Sequence, residues 1–352
     1  MELETLLQKI APLNQKTMEQ AKKRWDSLAK PLHSLGLLED ALVKIAGMTD
    51  SVQAQVSRRA VVVMCADNGV VEEGVTQCGS EVTAIVAENL TRNATSVTRM
   101  AEAAHTDVIP VDAGMITDLD LPGIRRCKTS YGTKNFLKAP AMTREEAVQV
   151  IQAGIDLVGE LKAQGYHILA TGEMGIGNTT TSSAMAAVLL DRPVEEVTGR
   201  GAGLSSKGLE RKIEVIRQGI ALHHPDPNDP LDVLQKVGGF DIAGMTGLFL
   251  GGAVHRIPVV IDGFISGISA LTALRLCPQA RDFMLPSHVS KEPAGKMLLD
   301  ALEMKPFLTC EMCLGEGTGA VALFSVLDLA HAVYTGMSTF ADTEIEEYKP
   351  LD

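Results

Sequence analysis

The chain has 352 residues, enough for one large α/β domain with additions or for two domains. Lys and Arg number 32 and Asp and Glu 44, so the formal net charge is −12, which argues against a nucleic-acid backbone as partner. Hydrophobic residues at 45% allow a buried core, while 4% aromatics leave little for stacking on single strands or sugar polymers. A phosphate-bearing ligand stays open, because backbone amides bind phosphate without net positive charge.

The N-terminus, MELETLLQKIAPLNQ, mixes charges and lacks a basic region followed by an apolar core, so it does not read as a secretory signal. Leu3, Leu6, Leu7 and Ile10 fall at helical spacing, residues 15–30 are charged and helix-prone up to Pro31, and residues 35–45 form a further helical patch. No apolar run is expected to reach the roughly 18 residues that would suggest a membrane span. Six scattered cysteines in a chain this long read as reduced cytoplasmic thiols. Cys310 and Cys313 form one CxxC, with no second pair and no His at metal spacing. Two small semi-buried residues are expected there, and no metal.

From residue 60 short apolar runs alternate with turn residues and helical stretches. The runs are 60–64, 107–111, 167–170, 257–261 and 283–285, and each leads into a turn carrying Gly, Asp or Pro. Runs without alternation suit strands buried on both faces. Five strand–loop–helix units predict a doubly wound α/β sheet, with ligands beyond the carboxyl ends of its strands. Thr143 with Glu146 three residues on predicts a capped helix over about 144–163. A last helix is expected over 318–335, followed by an acidic tail. Asp67, Asp112 and Asp262 each follow a strand and are expected to cap helices or orient loops. His288 stands at a strand end.

Three glycine clusters carry the chemistry. Gly172-Glu173-Met174-Gly175-Ile176-Gly177-Asn178-Thr179-Thr180 lies between a strand and a helical run over 181–190. It nearly fits the P-loop pattern, but Asn178 stands where the lysine would reach a triphosphate. An amide-rich turn at a helix start suits a less charged phosphate. The alternative is a tight turn with no ligand. Gly199-Arg200-Gly201-Ala202-Gly203 precedes a helix carrying Lys207, Arg211 and Lys212, which would welcome an anion or form a solvated face. In Gly315-Glu316-Gly317 one carboxylate is flanked by glycines beside Leu314 and Met312. Apolar neighbours would raise its pKa and suit it to general-base work. The same Glu could instead simply favour a helix N-terminus. These loops leave open an enzyme, a nucleotide sensor and a dinucleotide oxidoreductase. The last lacks a well-placed acid for a ribose 2′-hydroxyl.

Taken together, the clusters resemble one family. Ala66–Val70, Glu81–Thr83, Gly172–Thr180, Gly199–Leu204, Gly239–Met245, Val260–Phe264 and Leu314–Gly319 run in the order found in nicotinate-nucleotide–dimethylbenzimidazole phosphoribosyltransferases. The resemblance implies transfer of 5-phosphoribosyl from nicotinate mononucleotide to a ring nitrogen of 5,6-dimethylbenzimidazole, without cofactor or metal. It implies Glu316 as general base and the donor phosphate on Gly175, Gly177, Asn178, Thr179 and Thr180, with Gly201, Gly203 and Lys212. It implies Glu173 on the ribose or nicotinate side, Gly315 and Gly317 around the base, and Ser80 near the acceptor. It further implies a mainly parallel Rossmann-like sheet in a large domain over 59–334. A small helical domain would come from both termini, 1–58 with 335–352, in a cytoplasmic homodimer that binds no nucleic acid and no membrane. Cys313 stands where the family commonly has Arg, and Thr76–Ser80 is not the commonest form. Both bear on which base is accepted. The acceptor pocket is expected to be aliphatic and methionine-lined.

Overall fold

The computed structural model describes residues 3–348. Residues 1–2 and 349–352, the outer ends of the two segments expected to form a small domain, lie outside the described residues.

Among the described residues six parallel strands form one sheet: β1 (Arg59–Ala66), β2 (Asp107–Gly114), β3 (Arg125–Arg126), β4 (Ile168–Met174), β5 (Val259–Ile261) and β6 (Met284–Pro286). Their order is β3-β2-β1-β4-β5-β6. The five apolar runs are all strands, and β3 is added at one edge. With two residues it carries no readable period. All eight residues of β1 are buried, which requires helices on both faces of the sheet. The chain reverses its lateral direction between β1 and β4, the point where doubly wound sheets bind ligands.

The helix Arg144–Ala163 starts at the expected capping box, with Thr143 and Glu146 bonded reciprocally. It packs on the apolar helix Phe240–His255, whose backbone comes so near that a Cβ on Gly154 would stand 2.5 Å from the Gly244 carbonyl oxygen. The helix Phe240–His255 in turn packs on β1, β2 and β4.

The two ends of the chain meet. Helices Gln15–Asp26 and Leu37–Thr49 pack together, and the second lies on the helix Thr318–Gly336. Leu28 and Thr339 form an antiparallel bridge, and the Trp25 and Tyr334 rings stand 5.0 Å apart. Thr318–Gly336 is long and apolar enough to cross a membrane by length and composition. Here it buries Val321, Leu323, Phe324 and Leu327 and packs against β4. Cys310 and Cys313 are both exposed free thiols, not the semi-buried pair expected, because their loop lies on the surface after β6.

Candidate active site

The first glycine cluster divides differently from its expected boundaries. β4 continues through Gly172 and Glu173 to Met174, which pair with Val63, Met64 and Cys65 of β1. The turn is only Gly175-Ile176-Gly177, and the helix begins at Asn178, not 181, with Gly177 at its N-cap in the left-handed region (φ 92°). Asn178, Thr179 and Thr180 are thus the first helical turn, where unpaired N–H groups and the helix dipole attract anions. Thr83, from the helix Glu81–Thr91, accepts the Ile176 N–H at 3.1 Å and anchors this turn.

A cavity of about 250 Å3 opens beyond β4. Of the expected residues, Glu173, Gly175, Gly177, Asn178, Thr179, Gly201, Gly315 and Glu316 line it. Lys212 lies behind this wall. It is 1% exposed, and its Nζ donates to Thr179 Oγ1 at 2.8 Å. Burial pushes its pKa down to about 8. Thr180 is buried inside the helix, and its hydroxyl has no partner among the described residues. Gly203 stands outside the wall and accepts from Gln77 Nε2. Gly317 lies beneath the loop, against Val61. Ser80 precedes the helix Glu81–Thr91 outside the lining, while Val75, Thr76, Gln77 and Cys78 stand in it.

Glu316 sits on a strained loop. Gly315, Glu316 and Gly317 have φ of 92°, 60° and 96°, so three successive residues are left-handed and the central one is not glycine. That conformation costs an ordinary residue about 1–2 kcal/mol. Asp262, at the end of β5, holds the loop. Its carboxylate accepts the N–H groups of Gly317 (3.2 Å), Gly319 (2.8 Å) and Ala320 (3.1 Å), capping the last helix. The expected role of Asp262 as a loop organiser is therefore observed. Asp112 likewise accepts from Gly114 and Met115, and Asp67 from Ile116.

The Glu316 side chain is half-buried, and Oε2 accepts the backbone N–H of Val97 at 3.0 Å, in the first turn of the helix Ser96–Ala103. Leu314, expected to shield it, is 56% exposed. The carboxylate is thus held by a backbone donor at a helix start, not enclosed among apolar side chains.

Below it lies a buried acidic group that the sequence pattern only partly exposes. Burial, then the nearby Asp241 carboxylate, pushes Glu173 up to about 8. Asn178 Nδ2 donates to both Glu173 and Asp241 (2.9 Å to the latter), and the Glu316 N–H also donates to Glu173. Burial raises Asp241 to about 6 and Asp262 to about 7. Asp241 had no assigned role, although it lies in the matched Gly239–Met245 segment. His288 lines the cavity beside Gly263 and Gly319, and burial lowers its pKa. The remaining wall includes Val75, Ile176, Leu204, Phe264, Ile265 and Leu314. The expected methionine lining is not found. Met174 is the one methionine of the wall among the described residues, and Cys78 and Cys313 stand there as well.

This sheet order, with a switch-point cavity that joins a helix N-terminus to the Glu316 carboxylate, defines an enzyme of the doubly wound α/β class. The glycine turn follows β4, whereas a dinucleotide fingerprint would follow β1. The chain belongs to the phosphoribosyltransferase family, whose model matches residues 10–345. It is 49% identical over 352 residues, the full length of both chains, to a nicotinate-nucleotide–dimethylbenzimidazole phosphoribosyltransferase of Ruminiclostridium cellulolyticum. A relative of the same name in Acetivibrio thermocellus is 49% identical over 98% of each chain. The crystal structure of CobT from Thermus thermophilus superposes with a TM-score of 0.89 at 38% identity, over 95% of this chain and 100% of that one.

Proposed function

We propose that this enzyme transfers the 5-phosphoribosyl group of nicotinate mononucleotide to 5,6-dimethylbenzimidazole, giving α-ribazole 5′-phosphate and nicotinate for cobalamin assembly. The observation that carries the proposal is one cavity lined both by the Gly175–Thr179 helix start and by the Glu316 carboxylate. The names of full-length relatives support the same substrates.

The chemistry fits these residues. The donor's pyridinium is already a cationic leaving group, so its departure requires no general acid. The acceptor nitrogen attacks the anomeric carbon as the bond to nicotinate breaks, with inversion. The benzimidazole ring then carries a positive charge, and its second N–H must lose a proton. Glu316 takes that proton. The donor phosphate rests on the first turn of Asn178–Leu189 and the Gly201 segment, with Lys212 behind them. Glu173 is protonated over much of the neutral range and donates to the donor's ribose or nicotinate. Gly315 lets the loop come close over Glu173, Gly317 seats it against Val61, and Gly203 and Thr180 support the phosphate wall from behind. Ser80 supports the acceptor segment from behind.

Incubation with both substrates, followed by mass detection, tests this directly. A product of α-ribazole 5′-phosphate mass is expected, and nicotinate mononucleotide bound but unconsumed would leave only a nucleotide-binding protein. Cys78 and Cys313 line the cavity. The same assay with unsubstituted benzimidazole, a purine and a phenol therefore reads the acceptor preference.

A further inference from the structure

The phosphate end of the cavity holds a second charge, which the proposed reaction leaves without a task. Glu292 precedes the helix Gly295–Ala301 and lines the cavity. Its carboxylate lies directly against Gly199, where any side chain would overlap it. Two residues further on, a Cβ on Gly201 would stand 2.8 Å from Thr179 Oγ1 and 3.6 Å from Lys212 Nζ. The segment 199–201 is therefore held with Glu292 at one end and Lys212 at the other.

Lys212 has reason to depend on that carboxylate. An ammonium has three donors, and the hydrogen bond that orients this one goes to a single hydroxyl, Thr179 Oγ1. Burial favours its neutral form, and Glu292 is the charge that opposes the loss. The relation is mutual, since burial raises the Glu292 carboxyl and Lys212 lowers it. Two neighbouring cations are engaged elsewhere. Arg200 donates to the Leu204 carbonyl and to Ser206 Oγ, and Arg211 binds Glu73.

We propose that Glu292 is a positioning residue for the donor, its carboxylate and the Lys212 ammonium flanking the Gly199–Gly201 segment and acting on the phosphate as a pair. This rests on Lys212 serving the donor phosphate. Glu292 also repels the incoming phosphate, so its effect changes sign with pH. In acid Lys212 is charged with or without Glu292, and removing the carboxylate only relieves repulsion. In alkali removing it costs the ammonium.

The test compares wild type, Glu292→Gln, Lys212→Met and the double variant between pH 6 and pH 9, with nicotinate mononucleotide and dimethylbenzimidazole. Glu292→Gln is expected to keep kcat within about threefold, since it acts away from the bonds that change. At pH 6 its KM for the donor equals or falls below that of wild type. Above pH 8.5 its KM rises about tenfold, as the alkaline limb moves down by about one pH unit. In the Lys212→Met background the alkaline effect vanishes. A KM ratio that is the same at every pH overturns the inference, as does an equal rise without Lys212, which would mean that Glu292 binds the substrate itself. Should Glu292→Gln not fold, Glu292→Asp is the second variant. It keeps the charge and should retain the wild-type pH profile, and a flattened profile would count against the proposal. If wild type forms no ribosylated base, the functional proposal falls. Calorimetry of the same proteins with inorganic phosphate then decides whether Glu292 acts through Lys212.

Discussion

The Glu316 carboxylate accepts the backbone N–H of Val97 at 3.0 Å, a contact between residues 219 positions apart. It fixes the side chain proposed to face the acceptor and leaves the second carboxylate oxygen for the proposed proton transfer. Glu316→Gln keeps an acceptor for Val97 and removes the base. Turnover should fall by about 10²–10⁴-fold, while donor KM and thermal midpoint stay close to wild type. Steady-state kinetics with donor titration checks this. Unchanged kcat would remove Glu316 from the chemistry.

The buried acids make stability depend on pH. Glu173 moves from an ordinary 4.5 to about 8 on folding, Asp262 from 3.8 to about 7 and Asp241 from 3.8 to about 6. The folded state thus holds protons that the unfolded chain releases. Their favourable contribution is complete below about pH 4 and is lost as pH rises to about 8. Glu173→Gln removes one of these titrations. The variant's thermal midpoint relative to wild type should therefore be higher at pH 8.5 than at pH 5, by about 2–4 °C. Melting curves at the two pH values decide it, and a pH-independent difference would show that Glu173 is not the titrating group.

Much of this site was legible in the sequence, and the missing parts have physical causes. Thr143 and Glu146 announce a helix because a capping box is local, and the β1 and β4 runs announce strands because burial on both faces needs continuous apolar side chains. β3 has two residues and no pattern. The start of the helix at Asn178 was hidden because Asn-Thr-Thr are poor helix formers that here occupy the first turn. Val97 contributes only a backbone N–H, which has no sequence signature. Asp241 acts by sharing Asn178 with Glu173, a relation set by the packing of the helix Phe240–His255, not by spacing along the chain.

Gly317 tests the strained loop. At φ 96° a Cβ would meet Val61 Cγ2 at 2.5 Å and the Thr171 carbonyl oxygen at 3.1 Å. Gly317→Ala should cost about 1–3 kcal/mol from backbone strain and displace Glu316, lowering kcat more than tenfold. Denaturant unfolding together with kinetics measures both. Wild-type values in both would mean that the loop shifts without consequence.

Gln77 links the two sides of the cavity. Its Nε2 donates to the carbonyls of Ala202, at 3.3 Å, and of Gly203, so the segment 75–78 is fastened to the glycine segment beside the proposed phosphate wall. The side chain is exposed, and water competes for both bonds. Their net worth is therefore that of an ordinary hydrogen bond, about 0.5–1.5 kcal/mol. Gln77→Ala should lower the thermal midpoint by only about 1–2 °C, because no core contact is lost. With the two segments no longer tied, each substrate must order its own side of the cavity, so KM for donor and acceptor should both rise by about two- to tenfold. Gln77→Glu should do worse, since a carboxylate cannot donate and would face two carbonyl oxygens. A Gln77→Glu variant as active as wild type would show that this link does not serve substrate binding.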